Sequence, residues 1–324
     1  MLRSLSVFAC LFAAVCAILP GPALGQGYPS HPIRLIVPFS PGAGTDAIAR
    51  ILAQKLSESL GQPIVVDNRP GAGGTIGTEI VAKAAGDGYT LLFSPAAHAI
   101  NPSIYPKLGY DTEKDLVTIA IAASLPVVLA VEASVPAKSV GELVALAKAE
   151  PGRLTMASAG NGTVFHLTGE MFKTAAGIDI VHVPFKGGAP AMAALVGGQV
   201  TMAFETSLTI APHVKSGKLR ALAVASENRI GIFPEVPTLA QAGYPGILSE
   251  NWYGLYAPAG TPRDILARVY ATLAKALTDA DTRQKLAAQG AETRHLTPEQ
   301  SAAFVHAEIA KWAKVARESG ARID

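Results

Sequence analysis

Two glycine-rich segments join a short apolar run to a polar residue able to cap a helix. In residues 33–50, IRLIVPFSPGAGTDAIAR, the chain passes through Phe39, Ser40, Gly42, Ala43 and Gly44 to Thr45 and Asp46, either of which suits the N-cap of the amphipathic stretch that follows. In residues 154–164 it passes through Ser158, Ala159, Gly160, Asn161 and Gly162 to Thr163, the natural N-cap of a second helix. The chemistry available to both is anion binding. First-turn N–H groups lack intrahelical acceptors, and the positive end of the macrodipole favours a carboxylate or phosphate. Two such loops more than a hundred residues apart imply two domains that share a ligand at a cleft.

Other motifs fit other chemistries less well. Gly42, Gly44 and Ala47 match G-x-G-x-x-A after a strand, and Asp67 closes the next strand where a dinucleotide fold keeps its ribose acid. Pro38 and Pro41 bracket that turn, however, and no hydride-transfer residue is evident. The turn at residues 70–77, PGAGGTIG, lacks the Gly-Lys-Ser/Thr ending of a phosphate loop and reads as a packing turn. The seven histidines, at 31, 98, 166, 182, 213, 295 and 306, have no metal-ligand spacing, so neither a metal nor a cofactor is expected. His166, in the first turn after the second loop, is either an anion donor or a packed side chain. There is no G-x-S-x-G elbow, and Ser40 and Ser158 show no partnered base, so no enzyme is expected. Lys186, at a strand end, either meets a ligand's negative charge or pairs with Glu205.

The elements that must position these loops follow from apolar periodicity. Residues 33–37, 64–67 and 89–93 read as strands separated by helices over 46–60 and 75–85. Ile48, Ile51, Leu52 and Leu56 share one helix face, and Gly61 stands at C′. Strands at 154–157, 180–183, 200–204 and 219–225 repeat the plan, with a helix in each gap. The fold class is therefore α/β, with a mainly parallel sheet in each domain. Between the two sets lie extended segments at 117–123 and 127–131 and a helix over 140–149. An aromatic strand at 250–258 leads to three C-terminal helices, the last opened by Thr297, Pro298 and Gln300. Domain 1 is expected over 26–125 plus 252–324, and domain 2 over 126–251.

Composition narrows the classes. Arg3, an apolar stretch over 5–19 and Ala23-Leu24-Gly25 before Gln26 form a secretory signal pattern over 1–25, which places the protein in the periplasm. Cys10 and Cys16, the only cysteines, lie inside it, so the exported chain has neither thiols nor disulfides. Without Arg3, 26 basic residues face 25 acidic ones with no basic run, which excludes nucleic acid as a partner.

The segments VPFSPGAGTDAIAR, NRPGAGGTIG, DGYTLLFSP, ASAGNGTVFHLTGEMF, HVPFKGGAPA, LAQAGYPG and YAPAGTP occur in an order that resembles the periplasmic solute receptors of tripartite tricarboxylate transporters, the Bug family. The resemblance covers nearly all of the exported chain. It implies a Venus-flytrap fold that closes over a small carboxylate and hands it to large and small membrane transporter subunits; the receptor itself is expected to be a monomer. It further implies a carboxylate held by backbone amides and ordered water at Phe39 to Asp46 and Ser158 to Thr163. Ser94, Pro95, Phe185, Lys186, Glu205 and Thr206 are candidates for the ligand's other end. Phe185 stands where the family commonly has tyrosine, and Glu205 where aspartate is frequent. Two other classes share parts of this pattern: a sensor that presents its closed form to a membrane signalling protein, and an exported α/β enzyme using the G-x-G-x-x-A loop.

Overall fold

The computed structural model describes residues 27–42 and 44–321. The expected leader at 1–25 and the candidate residue Ala43 lie outside the described residues. Strand β1 (Ile33–Val37) leads through the first glycine loop into α1 (Gly44–Leu60), followed by β2 (Ile64–Asn68), a 3-10 turn (Ala72–Gly74), α2 (Thr75–Ala82), β3 (Thr90–Pro95) and α3 (Ala97–Ile104). The long β4 (Leu116–Glu132) precedes α4 (Val140–Ala149). Then come β5 (Thr155–Ser158), α5 (Val164–Ala176), β6 (Val181–Pro184), α6 (Gly188–Val196), β7 (Met202–Thr206), α7 (Ser207–Lys215) and β8 (Leu219–Val224). After β9 (Glu250–Pro258) the chain ends in α8 (Arg263–Thr278), α9 (Ala280–Ala288), the short β10 (Glu292–Thr293) and α10 (Pro298–Ser319).

Parallel pairing joins β2, β1 and β3 in one half of the sheet, and β6, β5 and β7 in the other. Between them, β9 runs antiparallel to both β3 and β4. Two sequence expectations need correction at this centre. The segments at 117–123 and 127–131 are one continuous strand, because Pro126 falls where β4 changes partners. Its last pairs with β9 are Leu125↔Asn251 and Pro126↔Glu250, and its pairs with β7 and β8 begin at Val127↔Thr206 and Val128↔Val224. A proline's missing N–H is tolerated where a ladder ends. Strand β8 does not extend the parallel set but lies antiparallel on the far side of β4. The sheet is thus parallel in its outer strands and antiparallel at its core. Arg294, just past β10, donates to Ser124 Oγ at 3.1 Å and pairs with Glu250, tying β4 to β9 at this crossing.

Both faces of the inner strands are covered, which is why they read as unbroken apolar runs. On β1, Ile33, Leu35 and Val37 pack with Ile48, Leu52 and Leu56 of α1, while Ile36 turns to the opposite cluster with Leu92. Each such side chain contributes about 1.5–3 kcal/mol by burial. On β4 the alternation repeats: Val127, Leu129 and Val131 face the largest cluster, and Val128 and Ala130 the third. Ile51 is only half-buried. Helix α2 ends at Ala82 rather than 85, and α3 was hidden in the sequence by Asn101 and Pro102, residues that usually mark turns. The final helix starts as expected, with Thr297 and Gln300 forming a reciprocal capping box.

Candidate functional site

The loops that follow β1, β2 and β3 lie at the carboxyl edge of one half of the sheet, and those that follow β5, β6 and β7 at the carboxyl edge of the other. Ligands of open α/β sheets bind at such edges. The first loop is held from within. Helix α1 begins at Gly44, so neither Thr45 nor Asp46 is its N-cap; both sit buried in the first turn. Asp46 instead reaches back, its Oδ2 accepting from the Gly42 amide and from Arg50 Nε, each at 2.9 Å. Asn68 Nδ2 donates to Asp46 Oδ1 at 3.0 Å and to the Phe39 carbonyl at 2.9 Å. Burial opposes ionisation of Asp46, but the bonds from Arg50, Gly42 and Asn68 prevail and hold its carboxyl below the usual range. Gly42 adopts φ 79°, and Ser40 is exposed while Phe39 is half-buried. The first-turn amides of Gly44 and Thr45 remain without intrahelical acceptors.

In the second loop Thr163 caps α5 as the sequence indicates, its Oγ1 accepting from the His166 amide at 3.4 Å and donating to the Gly160 carbonyl at 2.8 Å. Ser158, Gly160 and Gly162 are engaged inside the loop. Ser158 Oγ meets His182 Nε2 at 2.7 Å and accepts from the Gly160 amide at 3.2 Å; the Gly162 amide donates to His166 Nδ1 at 3.4 Å. The two imidazoles stack 4.0 Å apart. Burial, then the neighbouring His182 and Lys173 charges, push His166 down to about 3; burial and Lys173 push His182 down to about 4. Burial thus opposes a charge on either ring; His166 itself is buried against His182 and accepts from the Gly162 amide. The Val164 and Phe165 amides, ahead of the first intrahelical bond from Leu167 to Thr163, point out of the helix start.

The two edges meet. A Cβ on Gly73 would stand 3.2 Å from the Asn161 carbonyl, and one on Gly162 would stand 3.5 Å from Asn101 Oδ1 and the Tyr105 ring. The 70–77 turn packs against the first loop: a Cβ on Gly77 would stand 2.8 Å from both the Arg69 carbonyl and Pro38, and one on Gly74 would stand 3.2 Å from the Phe39 ring. Close backbone approach explains these glycines.

A second set of candidates gathers around a residue that the sequence reading missed. Tyr253 is fully buried within β9, in register with Pro95 and one position from the Ser94↔Gly254 pair. Its hydroxyl accepts from Asn251 Nδ2 at 2.8 Å and lies 3.4 Å from where a Cβ on Gly44 would stand. Burial, and secondly the adjacent Glu205, raise that hydroxyl far above its ordinary pKa. The aromatic run at 252–256 was the available signal, but it reads equally well as core. Glu205 is 4% exposed; its Oε1 accepts from the Thr206 amide at 2.8 Å, and burial pushes its carboxyl up to about 7. Thr206 caps α7. Of the two readings of Lys186, the pair with Glu205 is not formed: Lys186 is exposed and makes no ion pair among the described residues. Gly187, with φ 114°, leads into Gly188, where a Cβ would stand 2.9 Å from Glu205 Oε2, so backbone rather than the Lys186 side chain lies against that carboxyl. Phe185 donates its amide to the Ser158 carbonyl at 3.0 Å, Gly187 donates to Ala159 at 3.1 Å, and these bonds splice the third loop onto the second. Asp67, the ribose-acid candidate, is taken up by Arg34 and Arg69.

An α/β framework in two parallel halves, with β4 and β9 crossing between them and glycine-rich loops at the carboxyl edge of each half, has the layout of a periplasmic binding protein. The model of the tripartite tricarboxylate transporter family receptor matches residues 48–321, and the chain belongs to that family. It is 40% identical over 325 residues to protein BugT of Bordetella pertussis, covering 100% of this chain and 99% of that one. Among solved structures it is similar to an R. palustris protein with adipate, at a TM-score of 0.87 and 36% identity over 91% of this chain and 100% of that one. It is also similar to MatC from Rhodopseudomonas palustris with bound malate, at a TM-score of 0.84 and 34% identity over 89% of this chain and 99% of that one.

Proposed function

We propose that the protein is a receptor that captures a small carboxylate between a lobe formed by residues 26–125 and 252–324 and a lobe formed by 126–251, and releases it to membrane transporter subunits. The observation that supports this reading is that the edge carrying the first loop meets the second loop, Gly73 lying against the Asn161 carbonyl and Gly162 against Asn101 and Tyr105, with a helix start behind each loop. Oriented amides supply positive potential without the desolvation of a buried side-chain charge. The carboxylates in the two R. palustris structures support the ligand class. Residues 39–46 and 158–163 would hold one carboxylate, and Ser94, Pro95, Phe185, Glu205 and Thr206 would face the rest of the ligand. The leader-like 1–25 segment supports export to the periplasm, and among the described residues no helix is long and apolar enough to cross a membrane. The receptor is taken to act as a monomer that binds without turnover; the Ser158 hydroxyl, at the end of β5, is already engaged by His182 of β6 and the Gly160 amide.

A thermal-shift screen against aliphatic, aromatic and amino-acid carboxylates, with NAD and neutral sugars alongside, tests the reading. A ligand at ~100 times its Kd stabilises by about 2.7 kcal/mol. A carboxylate-selective shift without consumption of the compound is the expected result. A shift with NAD alone, or turnover of the stabilising compound, would overturn it.

A further inference from the structure

Glu205 is a buried carboxyl without a cation. Its Oε1 takes the Thr206 amide, while its Oε2 lies 2.9 Å from where a Cβ on Gly188 would stand, at the very start of α6. The groups that face it are known from each neighbouring element. Strand β9 brings the Tyr253 hydroxyl, itself engaged by Asn251; β4 brings Val128 in register; α6 brings Gly188; and α7 begins with the capped Thr206 and Ser207. Its donors are the Thr206 amide and hydroxyl and the helix starts at Gly188 and Ser207; none of these groups carries a formal positive charge, and the one nearby lysine in sequence, Lys186, is exposed. A buried carboxylate ordinarily has a charged or multiply donating partner, because its desolvation is otherwise uncompensated. Below about pH 7 a proton neutralises this carboxyl, and above it a formal counter-charge can come only from what enters the site. A ligand whose far end was a second carboxylate would bring like charges together beside Tyr253.

We propose, resting on the carboxylate-receptor reading above, that the solute is an amino carboxylate whose ammonium pairs with Glu205 while its carboxylate occupies the α1 and α5 starts. Adipate and malate carry no nitrogen, so this would set the chain's preference apart from those of the two R. palustris proteins. Burial holds Glu205 up to about 7, so an ammonium ligand must draw off its proton when it binds below that pH. Affinity for such a ligand rises from pH 6 to pH 8.

The test is calorimetric titration of matched pairs that differ only in the nitrogen: alanine and propionate, 4-aminobutyrate and butyrate, glutamate and glutarate. The wild-type protein is expected to bind the amino member of at least one pair tenfold or more tighter than its partner. Glu205→Gln, which keeps the shape and the acceptor for the Thr206 amide, is expected to weaken that amino member at least tenfold and to abolish the pH dependence. Equal or tighter binding of the deaminated members, or affinity that falls from pH 6 to pH 8, overturns the assignment and leaves the receptor reading intact. Absence of binding by any carboxylate overturns both. Should Glu205→Gln fail to fold, the wild-type pair comparison and its pH slope decide the matter alone.

Discussion

Glu308→Ala is expected to destabilise the protein more than any other single polar substitution in the core. Glu308 Oε2 accepts from the indole Nε1 of both Trp252 and Trp312 at 2.9 Å, and Oε1 pairs with Lys311 at 2.6 Å. Trp252 lies on β9 and Trp312 on α10, so one carboxylate fastens the C-terminal helix to the central strand. Truncation leaves two buried donors unsatisfied at about 1–3 kcal/mol each, for a loss of about 2–6 kcal/mol. Glu308→Gln retains a carbonyl oxygen for the indoles and is expected to lose less than half as much. These are the only two tryptophans, so their fluorescence in a denaturant titration reads the cluster directly. A midpoint unchanged by Glu308→Ala would contradict this account of how α10 is held.

Gly160→Val carries the largest expected effect on binding. Gly160 has φ 128°, a conformation that L side chains rarely adopt, and its added Cβ would stand 3.2 Å from the Phe185 carbonyl. The Gly160 carbonyl also accepts from Thr163 Oγ1, and its amide donates to Ser158 Oγ, so a distorted Gly160 disturbs the cap of α5 and the serine together. Strain of about 1–3 kcal/mol is expected in stability. Carboxylate affinity is expected to drop at least a hundredfold. Gly177→Ala is the control: φ is 60°, nothing lies within 4 Å of the added Cβ, and the residue ends the same helix at its far end. It should lower stability without touching affinity. Equal affinity of Gly160→Val and wild type, in a folded protein, would remove the second loop from the site.

Local signals were legible in the sequence wherever a short stretch of chain decides its own structure. Thr163 as cap, the Thr297–Gln300 box, Gly61 at C′, the alternating strands and the family motifs all follow from neighbours a few residues apart. What escaped depends on partners distant in sequence. Asp46 was assigned to a cap because nothing local showed that Gly42, Arg50 and Asn68 would converge on it. Ser158 looked free until β6 brought His182 alongside. The segments at 117–123 and 127–131 read as separate because the change of partners at Pro126 on β4 is a property of three other strands. Whether Lys186 met a ligand or Glu205 stayed open, because nothing local showed that the backbone at Gly188, not the lysine side chain, would come up to Glu205. Tyr253 was hidden by an aromatic run that any buried strand could carry.

The central claim is that one carboxylate is gripped simultaneously by the loop ahead of α1 and the loop ahead of α5. Hydrogen–deuterium exchange of the full protein, with and without a stabilising carboxylate from the thermal-shift screen, tests it most directly. The account predicts that exchange slows in peptides covering both 38–47 and 158–167, with the ends of α8 and α9 unchanged. Protection confined to one of the two loops, or located elsewhere on the molecule, would contradict it.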